Sequence, residues 1–352
     1  MAYFADGSNA PIYIVLALIY LWAVCSTEKE NAITVAIKKG WITFHSIIFM
    51  VLSKDNKGIG MKYNPDPSKI EKEKTATKTI VFIRHGESDW NNVFNKGLGP
   101  MFIVRLVRAL LEEIFMIFKM DSKFLDSPLN HEGIEQALEL RRFLQSEHYA
   151  EVKPGSTGRK DIFDVLRGEK DTSVIVSSTL RRAISTTVLG MWPRIERTRE
   201  KVIILSSLQE ISRNVDTQAL SASKSVADLP FSRLAGHCPE FNPDTVFDPS
   251  ENFGNKSRNF YGIKRLRAFN EWVFQRSESV IICGGHSLWF KNYFQTYLPH
   301  KVTHDAKTKK IANSGVIAFT LHRAEGAEAD GTPLYRIDEN SIQVLYGGFT
   351  SK

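Results

Sequence analysis

Arg84, His85, Arg182, Glu210 and His286 have the types and surroundings for chemistry on a phosphate. Arg84-His85-Gly86 follows directly on a β-branched run at 79–83. Ser177-Ser178-Thr179-Leu180-Arg181-Arg182 follows a run at 173–176. Leu208-Gln209-Glu210 follows one at 202–205, and Gly284-Gly285-His286 closes one at 279–283. An arginine presents a planar fork of donors that matches phosphate oxygens bidentately. A neutral imidazole is a nucleophile near neutral pH. The glycine after His85 lets the backbone approach a phosphoryl group closely. A carboxylic acid beside such a cage can protonate a leaving oxygen and then activate water. Phosphoryl transfer depends on positioning and charge stabilisation, so arginines can stand in for a metal, and neither metal nor cofactor is expected.

These groups need a scaffold that brings several strand ends to one place. The runs at 79–83, 173–176, 202–205, 279–283 and 315–321 are apolar on both faces. Amphipathic helical stretches at 132–145, 180–189 and 262–274 fall between them. Strands of that kind alternating with helices predict an α/β fold, a mostly parallel sheet covered on both sides. In such sheets the working residues lie just past the carboxyl ends of strands. Arg181 is read as a surface residue, since one helical step turns it away from Arg182.

Arg84-His85-Gly86-Glu87-Ser88-x-Trp90-Asn91 resembles the signature of the histidine phosphatase superfamily, in its phosphoglycerate mutase-like branch. Ser127-Pro128-Leu129-Asn130-x-x-Gly133-x-x-Gln136-Ala137 is similar to that family's second block, with Asn130 where Thr or Ser is usual. Ser178-x-Leu180-x-Arg182-Ala183-x-x-Thr186 is similar to the third. Gly285-His286 resembles the last catalytic histidine, and Asn313-Ser314-Gly315-Val316 the closing strand. The blocks occur in the family's order across most of 78–321.

The resemblance implies a three-layer α/β/α sandwich. It implies His85 as phosphoacceptor, with Arg84, Arg182 and His286 holding the transferring group. Ser88 and Asn91 join the substrate-binding set, and Glu210 is the general acid/base. Ser287 follows His286 where the acid phosphatase branch has Asp, which disfavours that branch. Gln209-Glu210-Ile211-Ser212-Arg213-Asn214 departs from the Glu-Arg-His-Tyr-Gly-like stretch of mutases. A phosphomonoesterase is therefore expected ahead of a mutase, and ahead of a silent module that only holds a phosphorylated partner.

Glu87 is read as orienting the loop, and the remaining histidines as structural or surface. His300 and His304 share the spacing of two ligands on one helical face, but without a third nearby they are read as coincidence. Two insertions lengthen the catalytic region of 78–352. The first, 92–126, carries the apolar stretch 100–120, interrupted by Arg105, Arg108, Glu112, Glu113 and Lys119. It is expected to be a helix that packs on the core or covers the site as a lid, with the membrane surface or the N-terminal segment as the alternative. The second, 212–257, is rich in Ser, Asp, Asn and Pro and is expected to form a cap over the substrate entrance.

The chain has 352 residues and a net charge of +7, with 43% hydrophobic and 24% charged residues. These proportions exclude a disordered or multi-spanning protein. The positive excess suits a phosphorylated or anionic partner and is too mild to argue for nucleic acid. Three cysteines provide no disulfide framework. Residues 7–27 carry no charge, enough for one helix across a hydrocarbon core of about 30 Å. The first basic residues, Lys29, Lys38 and Lys39, follow that run, so a single-pass anchor with a cytoplasmic catalytic body is expected. A cleaved signal ending near Ala23-Val24-Cys25 is the alternative. An apolar patch at 41–52, with Lys38 and Lys39 just before it, is too short to span and is read as lying in the membrane interface or pairing with the first segment as a re-entrant element. Residues 1–52 are read as the hydrophobic anchor region, with an N-terminal hydrophobic helix. Residues 53–77, dominated by Gly, Pro, Asn, Asp and Lys, are read as a linker.

Overall fold

The computed structural model describes residues 32–56, 76–97, 99–146, 157–170, 172–229, 234, 236–324 and 333–350. The uncharged run of 7–27 and residues 57–75 of the stretch read as a linker lie outside them.

The fold is a three-layer α/β/α sandwich around a mostly parallel sheet. Its strands are β1 (Ala76–Arg84), β2 (Ser173–Ser177), β3 (Val202–Ile204), β4 (Phe247–Asp248), β5 (Val280–Gly285), β7 (Val316–Ala324), β8 (Leu334–Ile337) and β9 (Gln343–Tyr346). Their order is β4-β3-β2-β5-β1-β7-β8, with β9 also on β7. The strands from β4 to β1 are parallel; β7, β8 and β9 pair antiparallel. A separate small ribbon joins β6 (Lys310–Ile311) to β10 (Phe349–Thr350).

Each central strand is covered twice. Ile80 and Phe82 of β1 join a core with α8 (Gly262–Gln275) and α9 (Ser287–Tyr297). Val81 and Ile83 point the other way, into a core with α4 (His131–Gln145), α5 (Thr157–Leu166) and α6 (Arg181–Thr198). Burial on both faces is why these strands read as unbroken apolar runs. The sequence reading ended α6 at 189. The helix continues through Gly190 and Pro193 because Met191, Trp192 and Ile195 are buried, and packing outweighs the lost hydrogen bond at proline.

Arg181 corrects its sequence reading. It is fully buried, and its guanidinium donates to Asp126 O at 2.9 Å and Ser122 O at 2.9 Å and pairs with Asp121 Oδ1 at 2.5 Å. Turning away from Arg182 points it into the first insertion, not into water. His300 and His304 do not share a helical face: His304 caps the short α10 (Asp305–Thr308), its Nδ1 accepting from Ala306 N.

Before the sheet lies α1 (Ala32–Leu52), long and apolar enough to cross a membrane by length and composition. It begins before the patch at 41–52 that the sequence suggested. Within the first insertion, α2 (Asp89–Phe94) is followed by α3 (Pro100–Phe115), opened by a proline at its first turn. α3 is a helix as expected, but its apolar side does not pack on the core. Ile103, Val107, Leu111 and Phe115 are exposed, while Ala109 is buried. Just past α1, Ser53 and Asp55 are buried against the rest of the fold.

Candidate active site

β1 and β5 lie side by side, with Arg84 opposite Gly285. His85 N donates to Gly285 O at 2.9 Å, and Ser178 N to Gly284 O at 2.9 Å. Three strand ends thus meet in register, and the rings of His85 and His286 stand 5.1 Å apart. A Cβ on Gly285 would lie 2.7 Å from the Phe82 ring, so the glycine permits this approach.

His85 Nδ1 lies 2.6 Å from Gly86 O. A carbonyl only accepts, so Nδ1 carries the proton and Nε2 keeps its lone pair. Burial, followed by the charges of Arg182 and Arg84, holds His85 well below the ordinary histidine value, and the ring is neutral. Burial and Arg182 do the same to His286. His286 Nε2 lies 2.8 Å from Ser178 Oγ, and its buried Nδ1 has no hydrogen-bond partner among the described residues. Arg84 donates from Nη1 to Ile311 O, while its buried Nε is likewise unmatched. Burial draws its guanidinium down to about 10, against the opposing pull of Glu210 and Glu87. Unmatched buried polar atoms of this kind are rare in proteins.

Arg182 donates from Nη1 to Asp216 O at 2.8 Å, and its Nη2 lies 3.2 Å from Asp216 Oδ2. Burial raises Asp216 to about 6 in spite of that pairing. Glu210 is buried at the N-terminus of α9. Its Oε1 accepts from Trp289 N at 2.7 Å and Ile211 N at 2.9 Å. Its carbonyl is gripped from behind by Lys256 Nζ at 2.7 Å and Arg265 Nη2 at 3.2 Å. Both cations meet Asp55, at 3.1 Å and 2.7 Å. Burial opposes ionisation of Asp55, yet Lys256 and Arg265 outweigh it and hold the carboxyl below its usual value. Burial draws Lys256 down to about 8.

The loop after His85 is locked by two glycines. A Cβ on Gly86 would lie 2.5 Å from Gly133 O, and one on Gly133 would lie 2.0 Å from Glu87 O. Gly86 N donates to Thr186 Oγ1 at 3.0 Å, and Asn313 Nδ2 to Glu87 Oε2 at 2.6 Å. Glu87 thus ties the loop to the segment before β7. Asn130 caps α4, its Oδ1 accepting from Gly133 N at 2.8 Å. Ser88 Oγ caps α2 by accepting from Asn91 N at 3.3 Å, and Asn91 Oδ1 accepts from Asn95 at 2.8 Å.

Arg84, His85, Arg182, Glu210 and His286 are therefore drawn together, while the side chains of Ser88 and Asn91 are engaged in and around α2. The second insertion supplies Asp216 and Lys256 to the site. Sequence reasoning assigned no role to these two, to Asp55 or to Arg265. No local spacing signals them, since each is far in sequence from its partner.

No family model matches the chain, and no curated protein matches it. Among solved structures, a mycobacterial glucosyl-3-phosphoglycerate phosphatase is 16% identical, covering 74% of this chain and 97% of its own, with a TM-score of 0.36. A mycobacterial hydrolase is 14% identical, covering 78% and 100%, with a TM-score of 0.35. A phosphoglycerate mutase from Bacillus anthracis is 15% identical, covering 74% and 92%, with a TM-score of 0.34.

Proposed function

We propose that this chain is a metal-independent phosphomonoesterase of the histidine phosphatase superfamily, acting through a phosphohistidine on His85. The observation that carries the reading is a neutral His85 whose Nδ1–H is tied to Gly86 O, set against His286 and between the charges of Arg84 and Arg182. Nε2 attacks phosphorus in line with the ester oxygen. The P–O ester bond breaks, and the leaving oxygen takes its proton from Glu210. Water then attacks the phosphohistidine, giving its proton to the Glu210 carboxylate, and orthophosphate leaves with His85 free. Arg84, Arg182 and His286 bind the equatorial oxygens, where charge is spread in the transition state. We place this activity at a membrane, tethered by the uncharged run at 7–27, with the catalytic region on the side of the basic residues that follow it.

The test is hydrolysis of a generic aryl phosphate, with the phosphoenzyme trapped by quenching in alkaline detergent and then challenged with acid. The wild type is expected to turn over in EDTA and to carry a phosphate that is acid-labile and stable to alkali. His85→Ala is expected to lose about 10³-fold or more in rate and to carry no phosphate. Strong inhibition by EDTA, or full activity in His85→Ala, would sink the mechanism.

A further inference from the structure

α1 and α3 are built inside out. On α1, Thr34, Lys39 and Ser46 are buried against the rest of the molecule, while Trp41, Phe44 and Ile47 are 49%, 54% and 47% exposed. On α3, Glu113 and Arg105 face the protein. Glu113 accepts from Ser122 Oγ and Lys123 N, and Arg105 donates to Gly97 O at 2.9 Å. Ile103 and Phe115, on the opposite side, are 63% and 80% exposed. A helix on a water-soluble surface turns its apolar stripe to the core and its charges to solvent. Here polar groups share the internal attachments with Val35 and Phe49 of α1 and Ala109 of α3, while most of the large apolar side chains face out.

The two helices are joined. Lys39 Nζ of α1 pairs with Glu113 Oε1 of α3 at 2.6 Å and donates to Met116 O at 3.0 Å and Asp121 O at 2.6 Å. This ion pair fixes α1 against the catalytic region, so α1 is not read as crossing the bilayer, although its composition would allow it. Together the two joined helices expose more than a dozen large apolar side chains, and clusters of that kind on a protein surface mark interaction sites.

We infer that this face is a docking surface for a lipid bilayer, on which α1 and α3 lie in the interfacial plane. Two observations select lipid as the occupant. The uncharged run of 7–27, already read as the tether, precedes α1 directly in sequence, with Glu28, Lys29 and Glu30 between them. Arg108 of α3, paired with Glu112 at 2.9 Å, and Lys119 just after the helix are exposed cations of the kind that meet anionic headgroups. The face also reaches the catalytic loop. Lys123 pairs with Glu112 of α3 at 3.0 Å and with Asp89 at 2.8 Å, next to Ser88. Docking would therefore hold the site at a set height and tilt over the membrane, where a tether alone leaves it free. The inference rests on the membrane reading and sharpens it.

The experiment uses the full chain with Cys25→Ser, carrying a polarity-sensitive fluorophore on Phe44→Cys, Val107→Cys or, as control, exposed Glu271→Cys. Cys238 and Cys283 are buried. Proteins are mixed with phosphatidylcholine/phosphatidylserine vesicles containing spin-labelled lipids, after checking that each floats with the vesicles and hydrolyses an aryl phosphate. Insertion about 5–10 Å into the interface predicts quenching at 44 and 107 about threefold or more above that at 271. Flotation with labels at 44 and 107 as water-accessible as 271 would overturn the docking face and leave the tether standing. Failure to float would overturn both. Shielding at 44 and 107 without lipid quenching, together with a dimer in cross-linking, would assign the face to a second copy instead.

Discussion

Glu210 is held by amides on one side and by two buried cations on its carbonyl, so its placement does not depend on its own charge. Glu210→Gln keeps an oxygen for those amides and removes only the transferable proton. Its rate is expected to fall about 10²–10³-fold for alkyl phosphates and under about tenfold for p-nitrophenyl phosphate, whose leaving group needs little protonation. Equal losses across leaving groups would assign the acid to another residue. Asp216 is the second residue with a measurable signature. Its value is raised to about 6, chiefly by burial, so it is neutral at low pH and becomes an anion beside Arg182 as pH rises. A carboxyl raised above its unfolded value adds stability that is complete below about 4 and is lost as pH rises through about 6. Asp216→Asn should therefore raise the melting temperature at pH 7.5 and change it little at pH 4. It should also bind orthophosphate about fivefold more tightly at pH 7.5, a gain that fades by pH 5. Tighter binding that persists unchanged at pH 5 would show that charge is not the cause.

At the scale of elements, the site depends on the loop after His85 crossing the first turn of α4 where neither has a side chain. Gly133, in the first turn of α4, passes so close to Glu87 that an added Cβ would meet backbone oxygen and nitrogen at 2.0 and 2.8 Å. Backbone cannot yield as a flexible side chain would. Gly133→Ala is expected to cost about 1–3 kcal/mol in unfolding free energy and to lower kcat about 10²-fold by displacing the His85 loop. A variant with wild-type kcat and stability would show that the two segments can part freely. Both glycines stand inside the motif blocks, so this crossing is marked in the sequence, but only the register of α4 against the loop explains the second one. The first insertion was legible as a helix from its apolar period. Its orientation was not, because periodicity shows that a stripe exists without saying which way it faces.

Across the whole molecule, the segment after α1 reaches back to the buried cations behind Glu210. Asp55 stands between Lys256 and Arg265 with none of the three exposed. A chain beginning at residue 57 would keep every strand of the sheet and leave two buried cations without their counter-ion. It is expected to be less stable by about 3–5 kcal/mol than a chain beginning at residue 32, and Asp55→Ala should reproduce most of the loss. Urea titration of the three chains checks this, and equal midpoints would remove Asp55 from the core of the fold.

The sequence by itself determined the central strands and the candidate residues that stand at their ends. Arg84, His85, Arg182 and His286 stand directly behind apolar runs, and strand ends carry their followers to one edge whatever the rest of the chain does. The tertiary structure alone decided what surrounds them. Asp55, Asp216, Lys256 and Arg265 are joined by ion pairs between segments far apart in sequence, and Arg181 is buried by partners in an insertion. Those pairings are set by where packed helices and insertions come to rest, and local spacing carries no record of that.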